Sequence, residues 1–338
     1  MMPAPAASPL AISLGDPAGV GPELIAEAWA RRDELGLPPF FVVGGFNLLT
    51  AAAESRGISI CAGLIQDPRD AARMFGEALP VIGLDPTPYT PGAPDRAGAT
   101  LALSSLRDAT RMVAEGFAGG LVTAPIAKSK LAEVGFTHPG QTEFVAAHCG
   151  IAPDDAVMML AGPNLRTVPL TIHVALSDVP RLVSTAIIVS KARIVAQALT
   201  RDFGIERPRI AIAALNPHAG EDGRMGHEDA DIVAPAIAEL CASGLDVTGP
   251  HPADALFTPR ARSTYDVALC MYHDQALIPI KALDFDEGVN VTLGLPIVRT
   301  SPDHGTAFSI AGKGIADPGA MIAAIRMAGE VAARRAAA

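Results

Sequence analysis

The sequence predicts an α/β protein of two domains, and three observations support this fold class. Short apolar runs end in Gly, Pro, Asn or Asp and are followed by stretches rich in Ala and Leu, which is the alternation typical of βαβ units. The runs are apolar at consecutive positions, as expected of parallel strands that are covered on both faces. The chain has 338 residues, which is more than one ordinary hydrophobic core accommodates.

The individual elements follow from this pattern. Strands are predicted at residues 10–14, 40–43, 120–123, 157–161, 167–174, 209–214 and 267–272. Helices are predicted at residues 22–35, 98–115, 142–149, 191–201, 229–243 and 318–336. No segment between the two halves resembles a flexible linker, so we expect the domains to share strands or to pass the chain back and forth.

Composition and charge exclude several classes of protein. Apolar residues make up 49% and charged residues 18% of the chain, which excludes a disordered polypeptide. The 36 acidic residues exceed the 26 Lys and Arg residues, and a net charge of −10 disfavours non-specific nucleic-acid binding. No run of like charges suggests a patch that binds membranes.

Cysteine usage and the chain start indicate a cytoplasmic protein. Cys61, Cys149, Cys241 and Cys270 lie far apart without a CxxC pair, which predicts reduced and mostly buried thiols. The first residues carry no basic region before an apolar stretch, so no signal peptide is predicted. The longest uncharged stretch, residues 35–53, is interrupted by Pro and Gly and does not resemble a membrane helix.

Three histidines stand at the ends of predicted strands. His173 closes one strand, whereas His218 and His273 follow two others. Ligands of open α/β sheets bind beyond the carboxyl ends of the strands, and these residues lie too far apart in sequence for a local metal motif. If the fold gathers them, neutral imidazoles suit Zn²⁺ or a similar ion acting as a Lewis acid. The alternative, that each histidine bonds only its own turn, is equally compatible with the pattern.

Three further segments are candidates for ligand contacts. The glycine-rich turn at residues 15–23 precedes a helix and can hold an anion or the edge of a cofactor, although a plain turn fits equally well. Lys281, Asn290 and Arg299 can bind a phosphate or a carboxylate, although surface salt bridges are the commoner role of such cations. The glycine-rich loop at residues 303–320 can wrap an adenine ring or form a surface turn.

Eight motifs occur in a characteristic order over nearly the whole chain: GDPAGVGPE, TAPIAK, NPHAGE, PADALF, MYHDQ, GVNVTLGLP, RTSPDHGTA and AGKGIADP. Together they resemble the 4-hydroxythreonine-4-phosphate dehydrogenases of pyridoxal 5′-phosphate biosynthesis. The resemblance implies two α/β/α domains flanking a cleft, as in isocitrate and isopropylmalate dehydrogenases. It implies a discontinuous first domain at residues 8–127 and 289–338 with the cofactor loop, and a second at residues 128–288 with the metal histidines and dimer contacts.

The resemblance also implies roles for individual residues. The implied ligands of a divalent ion (Zn²⁺, Mg²⁺ or Co²⁺) are His173, His218 and His273. The implied substrate contacts are Gln141, Thr142, Lys281, Asn290 and Arg299. The candidate contacts of NAD or NADP are Gly15, Asp16, Asp303, His304, Gly305 and Thr306. One residue has to accept the hydroxyl proton. By motif position only, the candidates for this role are Asp254, Asp274 and Lys128.

The implied activity is oxidation of 4-phosphooxy-L-threonine at C3 to 2-amino-3-oxo-4-phosphooxybutanoate, which loses CO₂ to give 3-amino-2-oxopropyl phosphate. The resemblance implies a homodimer whose active sites lie at the subunit interface and use residues of both subunits. Gln141 replaces a family histidine and can neither carry charge nor move a proton. A related dehydrogenase of threonate or erythronate 4-phosphate is therefore the close alternative. A metal-dependent hydrolase or lyase, or a non-catalytic binding module, is more remote.

Overall fold

A computed structural model describes residues 8–85 and 87–337 and confirms the α/β class. The strands are β1 (Leu10–Ser13), β2 (Phe40–Val43), β3 (Ala62–Leu64), β4 (Leu79–Ile82), β5 (Leu121–Thr123), β6 (Val157–Ala161), β7 (Arg166–Thr171), β8 (Arg209–Ala213), β9 (Asp246–His251), β10 (Val267–Tyr272), β11 (Val289–Leu293) and β12 (Arg299–Pro302).

The helices alternate with these strands. They are α1 (Gly21–Ala30), α2 (Arg32–Leu35), α3 (Phe46–Ser55), α4 (Ala71–Met74), α5 (Arg96–Ala114), α6 (Lys128–Ala132), α7 (Gln141–His148), α8 (Val179–Leu182), α9 (Thr185–Phe203), α10 (Ala234–Ala242), α11 (Ala253–Leu256), α12 (Pro259–Arg262), α13 (His273–Leu283) and α14 (Gly319–Ala337). The described chain forms two compact units. Unit one contains the residues up to Pro153 and those from Leu295 onward, and unit two contains Asp154–Gly294.

Unit one contains a parallel sheet in the strand order β3-β4-β2-β1-β5-β12. Every residue of β1 and β2 is buried, so both faces of the sheet are covered, as the continuous apolar runs predict. Helices α5 and α14 pack against these strands, and α1 packs against α3. Because the strands are parallel, their carboxyl ends share one edge of the sheet.

Unit two contains the strand order β11-β6-β7-β10-β8-β9. Strands β7, β10, β8 and β9 are parallel, whereas β6 pairs antiparallel with both β7 and β11. The predicted parallel sheet is thus confirmed for four neighbouring strands of this unit. The core between the sheet and α13 includes Leu160, Ala268, Cys270 and Ile280.

Local capping explains where the long helices begin and end. The Asp95 carboxylate accepts a hydrogen bond from the Gly98 amide at 2.7 Å and starts α5. Ser184 caps α9 in the same way, and Gly204 ends that helix in the left-handed conformation. These caps make α9 longer at both ends than the predicted helix at residues 191–201.

Other elements differ from the predictions. The predicted helix at residues 22–35 is interrupted at Arg31, and the one at residues 229–243 begins as a π-helical turn. Five strands were not predicted, namely β3, β4, β9, β11 and β12. Strand β12 has the sequence RTSP, which is mostly polar, although all four residues are buried. Cys61 and Cys241 are exposed, so the prediction of mostly buried thiols was wrong for these two.

Across the described residues no single helix is both long enough and apolar enough to cross a membrane. By length and composition alone, the bent pair Leu176–Leu182 and Thr185–Phe203 passes that test together.

Candidate active site

Arg299 is a buried cation at the start of β12 in unit one. The residue pairs with Leu121 of β5 and is 3% exposed. Its guanidinium donates hydrogen bonds to Thr123 Oγ1 at 2.8 Å and to Thr142 Oγ1 at 3.2 Å. Burial lowers the pKa of Arg299 to about 10, and nearby Glu143 opposes this shift. The side chain therefore stays charged at neutral pH in a weakly hydrated environment, which favours binding of an oxyanion.

The first turn of α7 lies beside Arg299 and contributes Gln141 and Thr142. Gln141 Nε2 donates to the Ala124 carbonyl at 3.2 Å. Its Oε1 is buried and has no hydrogen-bond partner within residues 8–85 and 87–337. A buried acceptor without a partner is costly, so this atom fits a donor supplied by a ligand.

Lys128 reaches the same end of α7. A Cβ atom placed on Gly140, the residue before the helix, would lie 3.6 Å from Lys128 Nζ. The structure therefore brings together four of the predicted residues in unit one, which are Lys128, Gln141, Thr142 and Arg299. We call this group the Arg299 pocket.

Two predicted substrate contacts lie in unit two. Lys281 is partly buried in the last turn of α13. Asn290 lies on β11 opposite Leu160, and its Oδ1 is a buried acceptor for which the described part of the chain supplies no partner. The Asn290 side chain thus also fits a donor from a ligand.

The three predicted metal ligands follow three neighbouring parallel strands of unit two. His173 comes shortly after β7, His273 directly after β10, and His218 in the turn after β8. The rings of His173 and His273 lie 5.8 Å apart between centroids. Within the described residues, however, no group of three or more His, Cys, Asp or Glu side chains is arranged to hold a metal ion. One chain therefore brings together two of the three histidines.

Local geometry supports a ligand role for these histidines. His273 Nδ1 and Asp274 Oδ1 are 2.7 Å apart, which fixes the imidazole tautomer and directs Nε2 away from the carboxylate. His173 and His218 have φ angles of 56° and 52°, in the left-handed region that non-glycine residues seldom occupy. Such strain costs roughly 1–3 kcal/mol per residue and clusters at functional sites. An imidazole oriented by a carboxylate fits a divalent metal ion.

Asp229 is a site residue that the sequence did not reveal. Its buried carboxylate accepts hydrogen bonds from the backbone amides of Leu215 at 2.7 Å and Asn216 at 3.0 Å, and from Asn216 Nδ2 at 3.1 Å. These bonds secure the strained turn that carries His218. The only signal in the sequence is an acidic residue at the start of a predicted helix, shortly after the NPHAGE motif.

The three candidates for the proton acceptor have different local surroundings. Asp274 contacts His273, and Lys128 belongs to the Arg299 pocket. Asp254 lies exposed in the first turn of α11. Their roles stay predictions.

The candidate cofactor residues come from two segments of unit one that touch each other. Gly15 has a φ of 74°, and a Cβ on Gly19 would lie only 2.8 Å from the Thr306 carbonyl oxygen. The Val20 amide donates to that same oxygen at 2.9 Å. The turn at residues 15–23 therefore packs against the loop at residues 303–317, and only glycine permits this approach.

Asp16 supplies the polar group of that turn. The side chain is almost fully buried, and Oδ1 accepts a hydrogen bond from the Ala18 amide at 3.0 Å. Oδ2 is buried without a partner in the described part of the chain. Burial raises the pKa of Asp16, with the Ala18 hydrogen bond opposing. This acceptor fits a ligand with hydroxyl or amide donors, as a dinucleotide has. Asp303, His304 and Gly305 lie partly or fully exposed on the loop.

Comparison with known proteins gives a consistent family. A family model described as pyridoxal phosphate biosynthetic protein PdxA matches residues 37–328. The chain is 65% identical over 329 residues to a 4-hydroxythreonine-4-phosphate dehydrogenase of Erythrobacter litoralis, covering 97% of this chain and 98% of the relative. It is 54% identical over 328 residues to the protein of the same name from Zymomonas mobilis, covering 97% and 96%.

Comparison with solved structures supports the same family. The 4-hydroxythreonine-4-phosphate dehydrogenase of Klebsiella pneumoniae superposes with a TM-score of 0.86 at 36% identity, covering 96% of this chain and 98% of that one. A terephthalate 1,2-cis-dihydrodiol dehydrogenase from Burkholderia xenovorans has a TM-score of 0.64 at 28% identity, with coverage of 96% and 98%. By the family model, the sequence identities and the shared fold, the chain belongs to the PdxA family of pyridoxal phosphate biosynthetic proteins.

Proposed function

We propose that the chain is an NAD(P)-dependent 4-hydroxythreonine-4-phosphate dehydrogenase of pyridoxal phosphate biosynthesis. It oxidises 4-phosphooxy-L-threonine at C3, and the resulting β-keto acid loses CO₂ to give 3-amino-2-oxopropyl phosphate. Family membership supports the reaction class. The Arg299 pocket is the observation that carries the substrate class, because it offers a dehydrated cation to a small anionic substrate.

The Arg299 pocket binds an anionic group of the substrate. The guanidinium is already fixed by Thr123 and Thr142, so little side-chain entropy is lost when an oxyanion arrives. Lys128 adds a second cation at the same end of α7. A local positive field of this kind attracts a phosphorylated substrate even though the whole chain carries a charge of −10.

The histidines hold the divalent ion. His173 and His273 of one subunit act together with His218 of the second subunit in a homodimer, an arrangement supported by the close His173–His273 pair and by the family resemblance. Asp274 keeps His273 in the tautomer that presents Nε2. A divalent ion held by these histidines would supply Lewis-acid chemistry at the C3 hydroxyl, and a bound nicotinamide would supply the hydride acceptor.

The remaining residues position the substrate or the cofactor. Lys281 and Asn290 contact the substrate, and Asn290 Oδ1 accepts one of its hydrogen bonds. Asp16 Oδ2 would accept a hydrogen bond from the cofactor, and the segment 303–306 would complete that side of the cofactor site. Both NAD and NADP are compatible with these cofactor-binding residues. We place the enzyme in the cytoplasm.

A second candidate function is oxidation of threonate or erythronate 4-phosphate. Gln141 favours it, because an amide stands where the family motif has a histidine. An amide accepts and donates hydrogen bonds but carries no charge, so it recognises a neutral hydroxyl as readily as an ionised group.

The test is a steady-state comparison of the three 4-phosphates with purified protein, NAD⁺ or NADP⁺ and a divalent ion. We expect the highest kcat/KM with 4-phosphooxy-L-threonine, loss of activity with a chelator, and recovery with Zn²⁺, Co²⁺ or Mg²⁺. Faster turnover of a sugar-acid phosphate would favour the second candidate. Absence of nicotinamide reduction with all three, and of any rise in melting temperature with NAD⁺ or NADP⁺, would contradict a dehydrogenase.

A further inference from the structure

A buried ion cluster in unit one joins Glu23, the last residue of the turn at residues 15–23, to Glu27 and Arg56. Glu23 and Glu27 lie one turn apart on α1, and Arg56 follows the last residue of α3. Arg56 Nη1 lies 3.6 Å from Glu23 Oε2, and Nη2 pairs with Glu27. The side chains of Glu23, Glu27 and Arg56 are 0%, 15% and 8% exposed, so two carboxylates share one guanidinium away from water.

The same guanidinium also contacts the loop at residues 303–317. Arg56 Nη2 donates a hydrogen bond to the Ala316 carbonyl at 3.0 Å. A Cβ on Gly314 would lie 3.8 Å from Arg56 Cα, so the loop passes directly over the end of α3. Burial raises the pKa of Glu23, and Arg56 together with the facing Gly312 amide opposes that shift. The cluster therefore joins α1, α3 and the second half of the loop.

Helix α1 thus holds the loop at two places. Near its N-terminus the Val20 amide bonds to the Thr306 carbonyl, and further along it Glu23 and Glu27 hold Arg56 against Ala316. Between these anchors the loop exposes Lys313 and Ile315, the latter at 67%. A loop secured at both ends presents its middle to solvent in a defined conformation.

We propose that Arg56 is a positioning residue for the nicotinamide cofactor: together with Glu23 and Glu27 it fixes the segment 311–317 so that this segment is ordered before the cofactor binds. The inference rests on the proposed function, in which this loop contacts NAD or NADP. A preordered loop loses less conformational entropy on binding, so the anchor increases cofactor affinity without touching the reacting atoms. Stability alone does not require this cluster, because well-packed apolar residues commonly replace buried ion pairs without loss.

The test compares cofactor affinity in variants that leave no buried charge without a counter-charge. Arg56→Met alone leaves two buried carboxylates without a counter-charge and can fail to fold. The triple variant Glu23→Gln, Glu27→Gln and Arg56→Met removes all three charges together and also removes the bond to Ala316. Arg56→Lys retains the positive charge but not the planar donor group. Arg31→Met is the matched control, because Arg31 also faces Glu27, at 4.0 Å, but is 39% exposed and lies outside the cluster.

Titration calorimetry with NAD⁺ and NADP⁺ gives the dissociation constants, and hydrogen exchange reports the order of the loop. For the triple variant we expect about a tenfold weaker cofactor affinity, a higher KM for the cofactor with nearly unchanged kcat, and faster exchange in residues 311–317. Arg56→Lys is expected to be intermediate and Arg31→Met to match the unmodified protein.

Unchanged cofactor affinity in a folded triple variant would overturn the inference and leave Arg56 with a purely structural role. Failure of the proposed function would be seen in the unmodified protein instead. If the unmodified protein binds neither NAD⁺ nor NADP⁺, the dehydrogenase assignment falls, and the inference about Arg56 falls with it.

Discussion

The two units present their predicted ligand-binding residues in opposite ways. In unit one Arg299 is buried on a strand, and hydroxyl groups of Thr123 and Thr142 hold its guanidinium. In unit two His173 and His218 are exposed on turns, in left-handed backbone conformations. Unit one therefore forms its pocket within a single chain, whereas unit two brings together only a pair of its three histidines.

The difference follows from the chemistry of the two ligand types. A cation removed from water is tolerated only when hydrogen bonds within the fold hold it, so such a pocket has to be preformed. Metal ligands can stay exposed and strained, because binding of the ion contributes free energy when the set is completed. Four experiments test this contrast.

The largest effect on activity is expected when His173 and His218 are substituted, first singly and then in different subunits of one dimer. His173→Ala and His218→Ala are each expected to abolish activity. If His218 is supplied across a two-fold homodimer, each mixed dimer contains one intact set, and random exchange restores roughly a quarter of the unmodified activity. Activity is measured after subunits of the two variants have been exchanged.

A mixture of His173→Ala with His273→Ala is the matched control, because these two residues belong to the same subunit's pair and mixing restores nothing. If both mixtures stay inactive although mixed dimers form, all three ligands come from one chain. The contrast between the units would then be lost.

Removing the buried cation of unit one has the next largest effect. For Arg299→Met we expect kcat/KM for the phosphorylated substrate to fall about 100-fold or more, because a desolvated charged partner is lost. The melting temperature should change little, since an apolar side chain of similar length fills the same space. Arg334→Met, at an exposed position in the last turn of α14, controls for the loss of one charge. A decrease of less than about threefold would remove Arg299 from the binding site.

Restoring the family residue at position 141 is expected to act more weakly. Gln141→His introduces into the Arg299 pocket an imidazole that carries a positive charge below its pKa. We expect kcat/KM for 4-phosphooxy-L-threonine to rise roughly threefold to tenfold at pH 6 and to change little at pH 8. Lower activity at both pH values would show that the preformed pocket requires the amide.

The smallest effect concerns stability and pH at Asp16. Burial raises the pKa of this carboxyl in the folded state. The favourable contribution of the Asp16 carboxyl to the free energy of unfolding is therefore complete below the unfolded-state pKa. This contribution is lost as the pH rises through the folded-state pKa. Asp16→Asn keeps the oxygen that accepts from Ala18, so its melting temperature should exceed that of the unmodified protein by more at pH 8 than at pH 4.

Asp33→Asn is the matched control for the loss of one carboxylate, because the Asp33 side chain is 85% exposed. An equal difference at both pH values for Asp16→Asn would contradict a buried, ionised Asp16. Asp16 would then not support the view that unit one buries its ligand-binding groups before a ligand arrives.

Sequence reasoning succeeded where the signal is local. Strand β2 is apolar at four consecutive positions and is buried on both faces, and strand β10 is likewise apolar along its length. His273 follows β10 directly, so its place at the carboxyl edge of the sheet could be predicted from the order of the letters alone. Strand β12 could not be predicted, because polar residues reveal their burial only through their neighbours.

By itself the sequence determined the α/β class, the strand-end positions of the histidines and, through its motifs, the family. Only the tertiary structure decided that Arg299 is buried between hydroxyl groups, that Asp229 secures the turn of His218, and that Arg56 reaches Ala316. The physical reason is separation along the chain. Backbone preference and hydrophobic period act over a few residues, whereas a buried charge is defined by partners that folding brings from distant segments.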